Sequence, residues 1–438
     1  MHDDSPIVGF DSIAYLTERH GPRYLLIHPS GKFVYVSNWD RNTLSAYAID
    51  PDTGSLTPLP RSPYPTGTQP RAVTLTQNGQ FLYAGNWGSG TLSGYRVDQE
   101  TGVLDPLSES PYPVGRRPRN LRLDPTGTFG YVSNRDSRTI SAFTVNPHTG
   151  NLTPVHQGTI DTGERPRSTV IDYTGRFAYS AHQTASTLSA FSIDPVTKRL
   201  SAIPGAPFAV GKDPRSLTID PACRFLYAAN RASDSITVLA IDAARGMLRE
   251  IPGSPFPSGK RPFAILLHPN GKFGYVGNPG SDNISAYRID PTTGHLDPVP
   301  GSPFAAGSYP VWPTFDPTGA FVYINSYDSN EIHGFKIDPI TGALEPVPRS
   351  PFRTGSPTLP GTYPREPVID PFGRFLYLPN RKSDSVSGFS IDQTTGSLTQ
   401  IAGSPFPPCG PATLKYRWKV LKMAAKATIR GSVRSRRT

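Results

Sequence analysis

The sequence is poor in three features that commonly define a class of protein. It has 2 cysteines in 438 residues, which are too few for a disulfide framework and show no metal-ligand spacing. No apolar run approaches the ~18 residues that cross a bilayer. Charged residues make up only 18% of the chain and aromatic residues 10%, the reverse of a disordered composition. We therefore expect a folded protein without a membrane span, a metal ion or another cofactor.

Basic charge is concentrated near the C-terminus. The net charge is +10, and nine Lys or Arg residues with no Asp or Glu lie between Lys415 and Arg437, which leaves about +1 for the rest of the chain. We expect residues 412–438 to form a disordered basic tail, and a nucleic-acid partner is expected only through this tail. The first residues, Met1-His2-Asp3-Asp4, are acidic and no apolar segment follows, so we expect no signal peptide and a cytoplasmic location.

Proline is abundant, and it marks an internal repeat. The 49 prolines are roughly twice the usual share of ~5%, so the chain must turn often. A proline, followed by arginine in six copies, recurs every 48 residues, with six extra residues before the last copy. The copies begin at Pro22, Pro70, Pro118, Pro166, Pro214, Pro262, Pro310 and Pro364. The sequence therefore contains eight repeats of one structural unit.

The sixth repeat shows what this unit contains. Apolar runs occupy residues 264–267, 273–276, 284–289 and 295–299, and turns rich in Gly, Pro, Asp and Asn separate them. Four short strands at a fixed period are typical of a propeller blade. We predict an all-β propeller of eight four-stranded blades over residues 22–411, with seven blades plus a spare repeat as the alternative. Residues 1–21 are then an N-terminal extension, in which residues 9–18 could supply a strand that helps to close the ring.

Arginines and asparagines recur where the first strand of each repeat begins and the second ends. In a propeller these two points share one face, so we expect them at the mouth of the central channel. Guanidinium groups match carboxylate and phosphate groups, which predicts an anion-binding mouth. The alternative is that each arginine pairs with an aspartate of the neighbouring blade and stabilises the ring. The substrate-binding residues predicted here are Arg23, Arg71, Arg119, Arg365, Asn134 and Asn230.

His182 ends the second strand of the fourth repeat, where most other repeats have asparagine. A histidine at this place could act as a general base that activates water. The alternative is a hydrogen-bonded substitute for asparagine. Trp39 and Trp87 follow two second strands and are predicted either to stack on a ring-shaped ligand or to pack at the rim. The Ser-Pro-Phe and Ser-Pro-Tyr loops are predicted to serve packing.

The strand ends Tyr35-Val36-Ser37-Asn38 and Tyr131-Val132-Ser133-Asn134 carry a family resemblance. With Gly-x-Phe before them and Ile-Asp-Pro-x-Thr-Gly after them, these repeats resemble the lactonase-type β-propellers with YVTN-type repeats. That family includes the propeller form of 6-phosphogluconolactonase and the carboxymuconate-lactonizing enzyme. The resemblance implies an enzyme of carbohydrate metabolism that opens a sugar lactone such as 6-phosphogluconolactone at the channel mouth. Its partner would be a small acidic lactone or sugar acid.

The resemblance also implies a catalytic set of one histidine, two arginines and one glutamate at the mouth. The Pro-Arg arginines match the family's Gly-Pro-Arg element, which points to Arg167 or Arg215. From the residues themselves, we expect His182 or an aspartate at the mouth to activate water. The family's glutamate follows the second-strand asparagine, and none of the eight repeats has an acidic residue there. The family's histidine stands at the Pro-Arg position, which holds no histidine here. A non-catalytic propeller that binds a protein or a glycan is therefore the alternative function.

Overall fold

The eight repeats form eight consecutive antiparallel sheets. The computed structural model describes residues 21–355 and 363–407, and within these ranges there is no helix. The first strand of each sheet contacts the first strands of the sheets before and after it, and the first strand of the eighth sheet contacts that of the first. The eight-bladed all-β propeller is thus confirmed, and the alternative of seven blades plus a spare repeat is wrong.

Each blade contains four strands in sequence order. The first strands are Pro22–Ile27, Pro70–Leu75, Pro118–Leu123, Pro166–Ile171, Pro214–Ile219, Ala264–Leu267, Pro310–Phe315 and Val368–Ile369. The second strands are Phe33–Asn38, Phe81–Asn86, Phe129–Asn134, Phe177–His182, Phe225–Asn230, Phe273–Asn278, Phe321–Ser326 and Phe375–Asn380. The third strands are Thr43–Ile49, Thr91–Val97, Thr139–Val145, Thr187–Ile193, Ser235–Ile241, Asn283–Ile289, Glu331–Ile337 and Ser385–Ile391.

The fourth strands have three residues each, except for ten in the third blade. They are Leu56–Pro58, Leu104–Pro106, Leu152–Asp161, Leu200–Ala202, Leu248–Glu250, Leu296–Pro298, Leu344–Pro346 and Leu398–Gln400. In six blades a two-residue strand follows and pairs with the third strand: Tyr64–Pro65, Tyr112–Pro113, Phe208–Ala209, Phe256–Pro257, Phe304–Ala305 and Phe352–Arg353. These two-residue strands belong to the Ser-Pro-Phe and Ser-Pro-Tyr loops (Ala-Pro-Phe in the fourth blade). Tyr64 and Phe256 are buried there, so the predicted packing role is confirmed for them.

The second strands are buried along their whole length because neighbouring blades cover both faces of each sheet. Each of them carries a central tyrosine. In six blades its hydroxyl donates to a glycine carbonyl of the following blade, as Tyr35 does to Gly102 at 2.8 Å. The eighth blade repeats this contact on the first, since Tyr377 donates to Gly54 at 2.5 Å. Gly54 has φ of 72°, and a Cβ there would lie 2.5 Å from the Phe375 ring, so only glycine fits.

No strand is shared between blades in the described ranges, so side-chain contacts close the ring. Arg41 of the first blade pairs with Asp384 of the eighth at 2.5 Å, and Arg374 donates to the carbonyl of Pro51 at 3.0 Å. Residues 9–18, predicted as a ring-closing strand, lie outside the described residues, as do Cys409 and the basic tail. Cys223 has a free thiol. No helix of the described part is long and apolar enough to span a membrane.

Candidate functional site

The start of each first strand and the end of its second strand lie side by side. Pro22 pairs with Asn38, Pro118 with Asn134, and Pro166 with His182. Because the first strands form the innermost ring, this end of the blades surrounds one mouth of the channel. The prediction that the recurrent arginines and asparagines share one face is therefore confirmed.

The asparagines at this face are turned into the blades. Asn134 and Asn230 are 0% exposed. The Nδ2 atom of Asn134 donates to the hydroxyls of Thr139 and Ser141 at 3.1 and 2.8 Å, and Asn230 makes the corresponding two bonds. Their amide donors thus hold the second strand against the third. Substrate binding by these two residues stays a prediction.

His182 takes the place of such an asparagine. Its side chain is 1% exposed, and Nε2 lies 2.7 Å from the Ser189 hydroxyl, seven residues along the chain as in the Asn134–Ser141 pair. Burial lowers the pKa of His182 to about 4, although the charge and backbone of Glu164 oppose this shift. The imidazole is therefore neutral near pH 7, and it is enclosed rather than open to the channel.

The fourth blade carries a polar cluster around His182 that the sequence analysis missed in part. Arg167 is 6% exposed and donates from Nη1 to Oε1 of Gln183 at 3.4 Å. Glu164 accepts a bond from the Thr184 hydroxyl at 3.2 Å. The equivalent positions in the second, third and fifth blades hold Thr, Arg and Lys, so an acid two residues before the Pro-Arg pair was the available signal.

Aromatic rings support the mouth arginines. The guanidinium carbons lie 4.3 Å from the ring centroid in the pair Arg23–Trp39 and 4.0 Å in Arg215–Phe263. Such stacking holds a guanidinium plane in place and contributes about 0.5–2 kcal/mol. The other pairs are Arg71–Trp87 at 5.0 Å and Arg365–Tyr327 at 4.8 Å, and the rings of Trp39 and Trp87 are 6.0 Å apart.

Burial separates the six arginines into two groups. Arg23, Arg71, Arg167 and Arg365 are 3–8% exposed, whereas Arg119 and Arg215 are partly exposed. The partly exposed pair retains surface that is open to solvent at the mouth. The buried four stiffen the wall around it.

Acidic residues after the second strands connect neighbouring blades. Asp234 accepts from the backbone N–H of Arg261 at 2.6 Å, and Asp282 from that of Tyr309 at 2.9 Å. Asp136 instead forms ion pairs within its own blade, with Arg117 and Arg135 at 3.1 and 3.6 Å. The bonds of Asp234 and Asp282 therefore stabilise the ring, whereas those of Asp136 stabilise one blade.

One acidic residue of the mouth region lies in the segment that leads into the first strand of the eighth blade, Val368–Ile369. Glu366 follows Arg365 directly and is partly exposed. Burial raises its pKa, and the positive charge of Arg122 opposes this. Glu366 lies outside the recurring pattern of acids that follow the second strands, so residue spacing does not single it out. In the described ranges no group of three His, Cys, Asp or Glu side chains is placed to hold a metal ion.

A family model described as lactonase, 7-bladed β-propeller, matches residues 14–117, 115–210, 162–260, 251–359 and 356–408. No curated protein matches the sequence.

Several solved structures share the architecture. A protein of Bacteroides uniformis ATCC 8492, provisionally assigned as a 6-phosphogluconolactonase, is 21% identical, with a TM-score of 0.59 over 77% of this chain and 97% of its own. A protein of Bacteroides fragilis NCTC 9343 with the same provisional assignment is 20% identical, with a TM-score of 0.56 over 90% and 97%. The Pseudomonas aeruginosa periplasmic gluconolactonase PpgL is 20% identical, with a TM-score of 0.57 over 78% and 97%. At these identities the similarities establish the fold, although this ring has eight blades where the family model names seven.

Proposed function

This chain belongs to the lactonase family of β-propellers, and on that basis we propose that it hydrolyses a lactone bearing an acidic group at the mouth of its channel. The observation that carries the proposal is the set of arginines around the mouth, which aromatic rings and side-chain amides hold in place. A sugar lactone with a phosphate or carboxylate group, such as 6-phosphogluconolactone, is the substrate class that this charge favours.

Arg215 and Arg119 are the guanidinium groups best placed to bind the acidic group, since both are partly exposed. Arg215 lies against the Phe263 ring, which fixes one face of its guanidinium plane. Arg167 is buried and oriented by Gln183, so its contribution would be the positive potential of the fourth blade. One charge-assisted hydrogen bond is worth about 1.5–3 kcal/mol, so two of them give useful affinity.

The proposal retains His182 as a candidate for activating water, as the sequence predicts. Its neutral imidazole has the protonation state that a general base needs near pH 7. Its enclosure and its bond to Ser189 match those of the asparagines in other blades, which favours a structural role instead. The variant His182→Asn decides between these roles, because it retains the strand-end contact and removes the base.

The test is hydrolysis of 6-phosphogluconolactone and a panel of other lactones above the spontaneous rate. Arg215→Ala should raise KM or lower kcat/KM by about 10- to 100-fold, as expected for the loss of one charge-assisted contact, and Arg167→Ala should have a smaller effect because Arg167 contributes its charge from a buried position. Arg249→Ala is the matched control, since Arg249 is exposed on a fourth strand. Arg215→Lys should restore part of the activity because it retains the charge.

An absence of hydrolysis over the whole panel would contradict the proposal. It would leave a propeller that binds a glycan or a protein without catalysis. The partly exposed Trp39 ring favours a glycan in that case, because sugar rings stack on indole faces, whereas Trp87 is buried and packs at the rim. Calorimetry with acidic oligosaccharides then measures that function directly.

A further inference from the structure

The wall of the channel is nearly free of charge. The first strands form the innermost ring, so the exposed surface of a side chain in mid-strand opens to the channel. Alternate positions of these strands fit this expectation, because the second and fourth residues after the repeat proline are mostly partly exposed. The second residue after each repeat proline, called here the upper position, is Tyr24, Ala72, Asn120, Ser168, Ser216, Ala264, Trp312 or Glu366. The fourth residue, the lower position, is Leu26, Thr74, Arg122, Val170, Thr218, Leu266, Thr314 or Val368.

These two layers contain one carboxylate, Glu366 of the eighth blade, and one guanidinium, Arg122 of the third. Arg122 is exposed although it lies in the middle of a strand, so its side chain extends into the channel. The two groups interact electrostatically from blades three places apart around the ring. A pair that joined adjacent blades would be structural, whereas these two residues lie on non-adjacent blades and both retain exposed surface.

The backbone on both sides of Glu366 is fixed by the seventh blade. The carbonyl of Pro364 accepts from Nδ2 of Asn325 at 2.7 Å, and that of Pro367 accepts from the Thr314 hydroxyl at 3.0 Å. The N–H of Arg365 donates to Pro379 at 2.8 Å within the eighth blade. These three hydrogen bonds hold residues 364–367, which do not form a regular strand. A carboxylate on a held segment is positioned for chemistry.

The surroundings of Glu366 are mainly apolar on its own level of the channel. The neighbouring blades supply Trp312 and Tyr24 at the same position, and Trp312 packs edge-on against Phe263 at 4.6 Å. Three elements lie next to this segment. The first strand of the first blade carries the titratable residues Arg23 and Tyr24, and the second strand of the eighth blade carries Tyr377. The first strand of the seventh blade has no titratable residue, and Arg365 is the chain neighbour of Glu366. The charge of Arg122 acts on Glu366 from the third blade.

We propose that Glu366 is the general base that activates water in the proposed lactone hydrolysis, and that Arg122 is a positioning residue that holds its charge in the channel. The inference rests on the proposed function. An aromatic and sparsely charged wall makes the carboxylate a stronger base than an exposed one, while the guanidinium keeps a fraction of it ionised.

The reaction balances with this single residue. The Glu366 carboxylate takes a proton from water as the water oxygen bonds to the acyl carbon, and the carbonyl electron pair moves onto its oxygen. When that pair returns, the bond between the acyl carbon and the ring oxygen breaks. The ring oxygen takes the proton from Glu366, which gives the open-chain hydroxy acid and restores the carboxylate.

The test compares pH profiles of kcat/KM on a lactone that the wild-type protein hydrolyses. Activity should rise with pH as Glu366 loses its proton, with a midpoint above the usual range of glutamate. Glu366→Gln should lower kcat by about 10²- to 10⁴-fold and leave the affinity for the product acid unchanged. Arg122→Gln should move the midpoint to higher pH, because it removes the charge that favours the ionised form. Ser216→Ala, on the same level of the channel in the fifth blade, is the matched control.

Two results would overturn the inference alone: a wild-type rate retained in Glu366→Gln, or a midpoint that does not move in Arg122→Gln. Loss of activity in His182→Asn together with retention in Glu366→Gln would assign the base to His182. A wild-type protein that hydrolyses no lactone overturns the proposed function and this inference together. Circular dichroism and melting temperatures of each variant confirm that the ring is intact, and titration of the Glu366 carboxyl by ¹³C NMR checks the Arg122 effect independently of activity.

Discussion

Arg41 of the first blade and Asp384 of the last form an ion pair at 2.5 Å across the junction that closes the ring. The side chain of Asp384 is 7% exposed and that of Arg41 27%, so the pair is largely removed from water. At two other junctions the equivalent aspartates, Asp234 and Asp282, accept hydrogen bonds from backbone N–H groups of the next blade. The closing junction therefore depends on a charge pair where other junctions use backbone bonds.

Arg41→Ala should lower the free energy of unfolding by about 1–3 kcal/mol, because it leaves a buried carboxylate with fewer partners. Urea unfolding followed by tryptophan fluorescence measures the change. Arg61→Ala is the control: Arg61 pairs with Asp105 at 2.8 Å, but both side chains are more than half exposed. A larger loss in the control than at the junction would show that burial does not set the strength of these pairs.

The strand-two tyrosines give a second matched pair. Tyr377→Phe removes the bond to the Gly54 carbonyl across the closing junction, and we expect a loss of about 1–2 kcal/mol. Tyr131 occupies the equivalent position in the third blade, but its buried hydroxyl has no hydrogen-bond partner among the described residues. Tyr131→Phe should therefore leave the free energy of unfolding unchanged or raise it, in the same urea unfolding assay. Equal losses in both variants would contradict this explanation.

The pKa of His182 predicts an acid-sensitive step in stability. The pKa is about 4 in the folded protein against 6.5 for the free side chain, so the unfolded chain binds the proton first. The stability that this neutral histidine contributes is present above pH 6.5 and is lost between pH 6.5 and about 4. Over that window the loss is about 3 kcal/mol at most, at 1.36 kcal/mol for each unit.

His182→Asn should abolish this part of the pH dependence. Unfolding free energies of the two proteins, measured at intervals from pH 7 to pH 4, give the difference directly. Parallel curves would mean that the imidazole binds a proton as readily in the folded state as in the unfolded chain.

Cys223 occupies a left-handed turn position with φ of 55°, where the fourth and sixth blades have Gly175 and Gly271. Cys223→Gly should be more stable than Cys223→Ala by about 1 kcal/mol, because both lose the sulfur while only glycine adopts this conformation without strain. Melting temperatures of the two variants test this. Burial also raises the pKa of the Cys223 thiol, so its reaction with a thiol reagent should be slow in the folded protein.

The sequence predicted the fold well because the repeat is strong. The first strand of the sixth blade, Ala264–Leu267, has the predicted bounds, and its fourth strand, Leu296–Pro298, lies within the predicted run. Strand periodicity and turn chemistry determine these features locally. The eight proline-led copies also placed the arginines and asparagines on one face.

The candidate site was less predictable because it depends on which blade a side chain meets. Arg365 stacks on Tyr327, which belongs to the preceding blade and lies across the six-residue insertion. Glu366 meets the charge of Arg122 only because the ring closes. Neither relationship is local in sequence, so residue type and spacing could not reveal it.

The junction between the eighth and first blades repeats hydrogen bonds that are found at the junctions inside the chain. Tyr95 donates to the carbonyl of Pro65 in the blade before it, and Tyr47 donates to that of Pro407 at 2.8 Å. Trp87 N–H donates to the carbonyl of Gln69 at 3.0 Å, just as the residue after Asn38 does to Gly21 at 3.2 Å.

Pro407 and Gly21 thus occupy the places that Pro65 and Gln69 hold inside the chain, where Thr66-Gly67-Thr68 connects them. The protein is consequently suited to circular permutation: a gene that joins Pro407 to Gly21 through Thr-Gly-Thr and opens the chain at another blade boundary encodes the same ring. Any blade can come first in translation, and a permutant opened between the fourth and fifth blades should melt at the temperature of the original order.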